Sequence, residues 1–364
     1  MSLEGIKARE GAYLSFPVSA MTEKIEAVFH PGSGRPSLDK LVHDFLGRQK
    51  VSWPALSEAY GDLKEIRQRE IDCGGFSVSV QFNPRRMTSS TALVDSESLN
   101  RRACFLCPAN LPNAQKAVLY RESYLILCNP APIFPGHFTV VHLSHIPQSI
   151  EEHIEDFMDL AEDLAPRFNA FYNGPRCGAS APDHLHFQMI PAGSLPIEND
   201  LPRSESGKRL RNMDGVTLGC LEGFGREIWL LEGCDRPAMA AAFRRILSTL
   251  AGFLSPGDPP RNEPMLNLLV RFLDGIWRIV IFPRRKHRPD VFYREGEARL
   301  VIAPAAVEMG GVIITPREQD FHRLDAGLIR ALYEEVSLNR ETTERFLKVL
   351  SADLFYNRIE EKTR

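Results

Sequence analysis

The sequence predicts an α+β protein that contains a duplicated unit of strands and helix. Short segments with the two-residue alternation of strands surround an amphipathic helix predicted over residues 149–172. Two apolar strands flank Asp274-Gly275, a dipeptide that strongly predicts an antiparallel hairpin. Residues 298–315 align on residues 124–141 without a gap, and this self-similarity indicates that one supersecondary unit has been duplicated.

Length and composition limit the possible classes of protein. A chain of 364 residues exceeds the usual size of a single core, so two units are expected. A hydrophobic content of 43% and a charged content of 25% are ordinary for a globular enzyme. The net charge of -3 argues against a general nucleic-acid or membrane partner. The seven cysteines and the lack of an apolar secretory core lead us to expect a cytoplasmic protein with reduced thiols.

Four regions are predicted along the chain. Helical apolar spacing makes residues 1–75 an N-terminal helical accessory region, and residues 76–195 hold most of the chemically informative motifs. Residues 196–262 are rich in Gly, Pro and charge, which indicates an insertion or linker. Residues 263–364 are predicted to form a second, degenerate half, whose helix over 323–338 corresponds to the helix that begins at 149.

A loop followed by a strand carries the main candidate for chemistry. Gly174 and Gly178 allow a backbone to approach a ligand closely, and the strand that follows alternates polar and apolar residues. The strand period of two then places His184, His186 and Gln188 on one face. A half-buried strand with incidental histidines is the alternative, and three aligned nitrogen-bearing groups beside such a loop make it the weaker one.

A second set of residues has the donor types that zinc prefers. Cys104 and Cys107 form a Cys-x-x-Cys pair, which taken alone is compatible with half of a metal site, a redox pair or coincidence. His145 follows a strand and His184 opens the histidine strand. Together the four residues predict a structural zinc site.

Two basic segments are candidates for contacts with phosphate. Asn83 and Arg85 lie at the end of a strand predicted over residues 76–82, where arginines serve equally well as solvated surface or as a phosphate clamp. The run from Arg284 to Arg288 follows the second strand of the hairpin and has the same two interpretations. The candidate phosphate contacts in this run are Arg284, Arg285, Lys286 and His287.

These motifs together resemble a known superfamily. The segment from His184 to Gln188 looks like the His-x-His-x-Gln signature of the transferase branch of the histidine-triad superfamily. That branch comprises galactose-1-phosphate uridylyltransferase, diadenosine tetraphosphate phosphorylase and the GDP-hexose phosphorylases. The Cys104 pair resembles the uridylyltransferase zinc pair, and His145 falls where that family has a further zinc ligand. Ser180 precedes His184 by four residues, whereas the family pattern usually has three.

The resemblance implies a fold, a reaction and a set of partners. It implies duplicated half-barrels of antiparallel sheet with flanking helices, a structural zinc and a possible homodimer. His186 would be the nucleophile and Gln188 a phosphate-holding amide, with Asn173, Gly178 and Ser180 around the substrate. The reaction would move a nucleotidyl group from a nucleotide sugar or dinucleoside polyphosphate to phosphate or a sugar 1-phosphate, through a nucleotidyl-histidine intermediate.

Two other classes of protein remain possible from the sequence. A non-catalytic, zinc-stabilised nucleotide sensor would keep the same strand without turning over its ligand. A zinc-dependent nucleic-acid-binding protein is disfavoured, because no second close Cys or His pair of finger type is present and the chain is not basic overall.

Overall fold

The computed structural model describes residues 21–32, 37–201, 209–255 and 263–363. The strands in these residues are β1 Ile25–Phe29, β2 Arg67–Asp72, β3 Ser77–Phe82, β4 Ala117–Tyr120, β5 Tyr124–Cys128, β6 Phe138–His142, β7 Phe168–Asn173, β8 His186–Pro191, β9 Arg209–Met213, β10 Val216–Leu221, β11 Ile228–Gly233, β12 Leu266–Leu273, β13 Ile276–Pro283 and β14 Val312–Thr315. The helices are α1 Leu38–Ser52, α2 Pro54–Asp62, α3 Met87–Ser90, α4 Ser96–Arg101, α5 Ile154–Leu164, α6 Ile197–Asp200, α7 Arg236–Leu254, α8 Ala306–Met309, α9 Glu318–Arg323, α10 Ala326–Val336 and α11 Arg340–Thr363.

One long sheet dominates the molecule. Its strand order is β1-β4-β5-β6-β8-β7-β12-β13-β11-β10-β9, and every neighbouring pair is antiparallel except β1 and β4. A smaller sheet has the order β14-β3-β2. Asp274 and Gly275 both have positive φ, 54° and 77°, in the tight turn that joins β12 to β13. The predicted α+β fold of antiparallel half-barrels with flanking helices is confirmed.

The long sheet contains two copies of one unit. Strands β4, β5 and β6, helix α5 and strands β7 and β8 form the first, and β9, β10 and β11, α7 and β12 and β13 repeat the same order. The copies join where β7 pairs with β12, with Asn173 opposite Asn267.

The duplication therefore lies elsewhere than the sequence suggested. Residues 196–262 are not a linker, because β9 to β11 and α7 lie within them and supply most of the second half. The boundary predicted at residue 263 is consequently wrong. The alignment of residues 298–315 on residues 124–141 also fails, because residues 299–305 form no strand and β14 belongs to the smaller sheet.

Two further predictions about secondary structure need correction. Helix α5 ends at Leu164 rather than near residue 172, because Pro166 cannot continue a helix and β7 then pairs with β8 and β12. The N-terminal region is not a helical accessory: β1 pairs with β4, β2 pairs with β3, and α1 and α2 contribute to the main core. Residues 1–20 of that region lie outside the described residues.

The two faces of the long sheet differ. Strand alternation sends Phe187 and Met189 of β8 into the core beneath α1, α5, α7 and α11. On the other face of the second half, Val280 and Phe282 of β13 are buried against residues of β3 and β14. In the first half that face carries His186 and Gln188, and it borders a cleft. Among the described residues, no helix is both long and apolar enough to cross a membrane.

Candidate functional site

The four predicted metal ligands come together beside the cleft. The ligand atoms of Cys104, Cys107, His145 and His184 all lie within 4.8 Å of one another. Cys107 Sγ is 3.1 Å from His145 Nδ1, and Cys104 Sγ is 3.3 Å from His184 Nδ1. His184 lies in the turn before β8 rather than on the strand. Its ring therefore joins the cysteines instead of lining up with His186, which corrects the predicted row of three polar groups.

The tautomer of His184 and the two adjacent thiol groups of this cluster suit a metal ion. His184 Nε2 donates a hydrogen bond of 2.8 Å to the carbonyl of His142, so the lone pair of Nδ1 is left for a metal. Burial and the neighbouring Cys104 raise the pKa of the Cys107 thiol to about 12. Two adjacent thiolates need a compensating cation, and two sulfur and two imidazole donors form a tetrahedral set that zinc accepts.

An ionic contact connects the metal cluster to the loop before β8. Arg102 donates through Nη2 to the Ser180 carbonyl at 3.0 Å and to Asp183 Oδ1 at 3.3 Å. The other oxygen of Asp183 lies 3.6 Å from His145 Nε2. Arg102 and Ser180 both line the cleft. Arg102 therefore links the cluster, through Asp183, to the candidate phosphate loop.

His186 is held as one defined tautomer. It is buried at the start of β8, and its Nδ1 donates a hydrogen bond of 2.8 Å to the carbonyl of His184. This bond leaves the lone pair on Nε2, and His186 lines the cleft. Burial lowers the pKa of His186, which favours the neutral imidazole.

Gln188 is oriented by His137, a residue that the sequence analysis did not select. The backbone N–H of Ile133 donates to His137 Nδ1 at 3.2 Å, so His137 donates through Nε2 to Gln188 Oε1 at 2.8 Å. Because the amide oxygen is occupied, the NH2 group of Gln188 is free to face the cleft. Burial lowers the pKa of His137 to about 3, and the ring therefore stays neutral. In the sequence, His137 looked like the ordinary first residue of a buried strand.

The loop after β7 packs against the second half of the molecule. A Cβ on Gly178, whose φ is +117°, would lie 2.5 Å from the Cβ of Ala305. Asn173 Oδ1 accepts hydrogen bonds from Asn267 Nδ2 at 3.0 Å and from the N–H of Ala306 at 2.8 Å. Asn173, Gly178 and Ser180, for which the resemblance implies substrate contacts, all line the cleft.

The cleft has a volume of about 940 Å³ and receives residues from both halves. Three of its arginines bind backbone carbonyls through part of their guanidinium groups. Arg86 donates to Ala131, Arg102 to Ser180, and Arg288 to Ser90 and Ala92. Arg288 ends the basic run that the sequence offered as a phosphate contact, whereas Arg86 and Arg102 were not among the candidate site residues. Together they give the cleft a positive lining suited to phosphoryl oxygens.

The two residues predicted at the end of β3 have different surroundings. Arg85 borders the cleft, but its guanidinium group forms ion pairs with Asp62 and with Glu58, the latter at 2.7 Å. Asn83 is buried and donates to the carbonyl of Pro132 at 3.2 Å. Asn83 therefore supports the loop between β5 and β6, and is not among the residues that line the cleft.

Most of the predicted basic run does not reach the cleft. Arg284 is fully buried, and its five N–H groups donate to Asn267 Oδ1 and to the carbonyls of Pro304, Val336, Lys286 and His287. Arg285 donates to carbonyls at the end of α10, and Lys286 pairs with Asp290 and Glu335. Of the four candidates only His287 lines the cleft, and Arg288 lines it as well.

Replacing Arg284 by methionine is expected to lower the free energy of unfolding by at least about 3 kcal/mol, because several buried carbonyls lose a charged donor. Arg285→Met at the exposed neighbouring position is the matched control, and should change stability by less than about 1 kcal/mol. Urea denaturation of both variants measures the difference. Equal stabilities would show that Arg284 does not hold these segments together.

The long sheet places two half-barrels in one chain, and the segment from His184 to Gln188 resembles the His-x-His-x-Gln signature of the histidine-triad transferases. Residues 45–191 match the family described as a domain of unknown function, DUF4922. Residues 207–354 match the family described as GDPGP1-like, C-terminal domain. The first match contains β4 to β8 and the second contains β9 to β13. No curated protein sequence matches the chain.

Solved structures with the same fold include yeast Ap4A phosphorylase Apa2. It is 17% identical, covers 84% of this chain and 98% of its own, and has a TM-score of 0.57. Its complex with Ap4A gives 0.53 at 15% identity over 82% and 97% of the two chains, and its complex with AMP gives 0.51 at 16% over 80% and 95%. At these identities the likeness shows that the chain shares the fold of this phosphorylase.

Proposed function

We propose that this protein is a nucleotidyltransferase or nucleotide phosphorylase that works through a nucleotidyl-histidine intermediate. Its donor is a nucleotide sugar or a dinucleoside polyphosphate, and its acceptor is phosphate or a sugar 1-phosphate. The observation that carries the proposal is the geometry of His186: Nδ1 is bound to the His184 carbonyl at 2.8 Å, while the ring borders a cleft with a positive lining. An imidazole fixed in this way offers one nitrogen as a nucleophile at neutral pH.

The two transfer steps balance without an additional reagent. In the first, the Nε2 lone pair of His186 attacks the α-phosphorus of the donor, a P–N bond forms and the bond to the bridging oxygen breaks. The leaving group takes that electron pair and departs as a phosphate-containing anion. In the second, a phosphate oxygen attacks the same phosphorus and the P–N bond breaks, which releases a nucleoside diphosphate and restores neutral His186. The His184 carbonyl stabilises the positive charge on the modified ring.

Gln188 favours transfer to phosphate over hydrolysis. Its oxygen is held by His137, so it presents an NH2 donor that binds phosphoryl oxygens but cannot release a proton to a leaving group. A phosphate leaving group departs as an anion and needs no proton. Activation of water does need a group that accepts one, and an amide is a poor candidate.

The shape and charge of the cleft support a large, multiply charged donor. A volume of about 940 Å³ is at the upper end of small-molecule sites. Arg86 and Arg102 come from the first half and Arg288 from the second, so both halves contribute cationic side chains to the cleft. The yeast relative has been solved with Ap4A, and this supports a donor with several phosphates.

We assign zinc to the Cys104, Cys107, His145 and His184 cluster on the chemistry of its donors. When bound, zinc would fix the loop and the two turns that carry these four ligands. His184 then contributes twice: its ring is a ligand, and its carbonyl holds the nucleophile.

Intermediate trapping tests the proposed function. The protein is incubated with donors labelled at the α-phosphate, namely GDP-, UDP- and ADP-sugars and dinucleoside polyphosphates, in the absence of acceptor. We expect acid-labile label on the protein with at least one donor, and its release as nucleoside diphosphate when phosphate is added. Binding without labelling for every donor would favour the nucleotide sensor instead.

The Gln188→Glu variant tests the role of the amide. Glutamate keeps the acceptor for His137 but replaces the NH2 donor by an oxygen anion that faces the phosphoryl oxygens. We expect kcat/KM to fall by about 10²- to 10³-fold, the cost of losing one donor to a developing charge. Steady-state kinetics with the donor identified by trapping measure the change, and an unchanged kcat/KM would exclude the amide from phosphate binding.

A further inference from the structure

A buried side chain bridges the ends of the two strands beside the nucleophile. Gln148 Oε1 accepts from the N–H of His186 at 2.8 Å, and its Nε2 donates to the carbonyl of His186 at 3.0 Å. The same Nε2 donates to the carbonyl of Asn173 at 2.9 Å. One amide thus satisfies three buried backbone groups, two of which belong to His186.

These contacts replace part of the β-ladder. Strands β7 and β8 pair from Phe168 opposite Pro191 as far as Phe171 opposite Gln188. The same register continued would place Asn173 opposite His186, but the strands part at this point to admit the loop of residues 174–185. The Gln148 amide occupies the gap and supplies the hydrogen bonds that the missing pair would have made.

The backbone around Gln148 is itself fixed. The N–H of Leu185 donates to the Ile146 carbonyl at 2.7 Å, and the N–H of Gln148 donates to the Pro182 carbonyl at 3.1 Å. Glu263, which is half-buried, accepts from the N–H of Ile150 at 2.7 Å. This turn also carries the metal ligand His145, so one short segment contacts both the metal site and the backbone of the nucleophile.

We propose that Gln148 is a positioning residue that fixes the backbone of His186 and thereby aims Nε2 at the α-phosphorus. This inference rests on the proposed function, in which His186 is the nucleophile. Attack requires reacting atoms about 3–3.5 Å apart and aligned, and a displacement of about 1 Å costs about 10²-fold in rate. Gln148 reaches the backbone of His186 rather than the cleft, so its loss affects the chemical step and leaves donor affinity unchanged.

The experiment compares Gln148→Met with Gln49→Met as a matched control. Gln49 is equally buried and also makes three hydrogen bonds, to Ser52 Oγ at 3.2 Å, to the Ala114 carbonyl at 3.3 Å and from the Lys116 N–H at 2.9 Å. Both variants lose a buried bridging amide, so both should lose stability. We expect only Gln148→Met to form labelled protein about 10²-fold more slowly, with the donor dissociation constant and metal content as in the wild type.

The possible outcomes separate this inference from the proposed function. Absence of label on the wild type would overturn the proposed function. Label on the wild type that forms equally fast on Gln148→Met, or an equal slowing in Gln49→Met, would overturn the positioning role alone. If Gln148→Met does not fold, Gln148→Glu replaces it, because it keeps the acceptor for the His186 N–H and loses both donated bonds. That variant should label more slowly than the wild type at unchanged donor affinity, and an unaltered rate would contradict the inference.

Discussion

Replacing His186 by glycine is expected to abolish nucleotidyl transfer, with kcat reduced by about 10⁴-fold or more. The substitution removes the proposed nucleophile, and no other imidazole among the described residues holds an equivalent place on β8. Phosphate-dependent release of nucleoside diphosphate measures the loss, and trapping should give no labelled protein. Metal content is expected to stay at the wild-type value, because the four candidate ligands are untouched.

The His153→Gly variant is the control for the removal of a nearby imidazole. His153 is partly buried and contacts Asp156 at 3.1 Å, but it does not line the cleft. Its substitution should leave kcat within a few-fold of the wild type. A His186→Gly protein that is folded, retains metal and turns over at the wild-type rate would falsify the histidine mechanism.

The site could be predicted well where local pattern and chemistry coincide. The alternation from His186 to Ile190 indicates a strand and also separates cleft residues from core residues, as the structure has them. The Cys-x-x-Cys spacing and the two histidines indicate a metal site without any knowledge of the fold. Asp274-Gly275 sets its hairpin because both residues must take positive φ.

The position of the second half was predicted wrongly because its residues include no catalytic or metal-binding motif. Strands β9 to β11 are short, lie between segments rich in Gly and Pro, and offer no motif that distinguishes a strand from a linker. The cleft-side positions of β13 hold Val280 and Phe282, which pack against the smaller sheet. In the second half the smaller sheet covers the face that borders the cleft in the first half. This copy therefore keeps the strand order of the first half but has no counterpart of the segment from His184 to Gln188.

Whether a residue of the basic run reaches the cleft depends on long-range contacts that a sequence does not reveal. Arg284 and Arg288 are the same type of residue in one basic run, so the sequence does not distinguish them. One donates all its hydrogen bonds to the protein interior, while the other borders the cleft. His137 and Gln148 were missed for the same reason, since each acts on a residue about 40 to 50 positions away along the chain.

Replacing Cys107 by serine is expected to remove the metal and to lower the free energy of unfolding by at least about 3 kcal/mol. Structural zinc sites contribute directly to folding, and the candidate cluster joins the loop before β4, the turn after β6 and the turn before β8. Elemental analysis of the wild type should find about one zinc per chain, and the variant should contain almost none. Cys73→Ser, at a buried cysteine in the other core, is the control and should retain its zinc.

Loss of the metal should also slow the chemical step, because His184 connects the metal cluster to His186. Its ring lies 3.3 Å from Cys104 Sγ in the cluster and its carbonyl holds His186 Nδ1, so movement of the ring would displace the acceptor that fixes the proposed nucleophile. We therefore expect labelling of Cys107→Ser to be slowed by about 10²-fold at a temperature where the variant is still folded. A folded, zinc-free variant that labels at the wild-type rate would show that the cluster supports stability alone, and that other contacts, Gln148 first among them, suffice to aim His186.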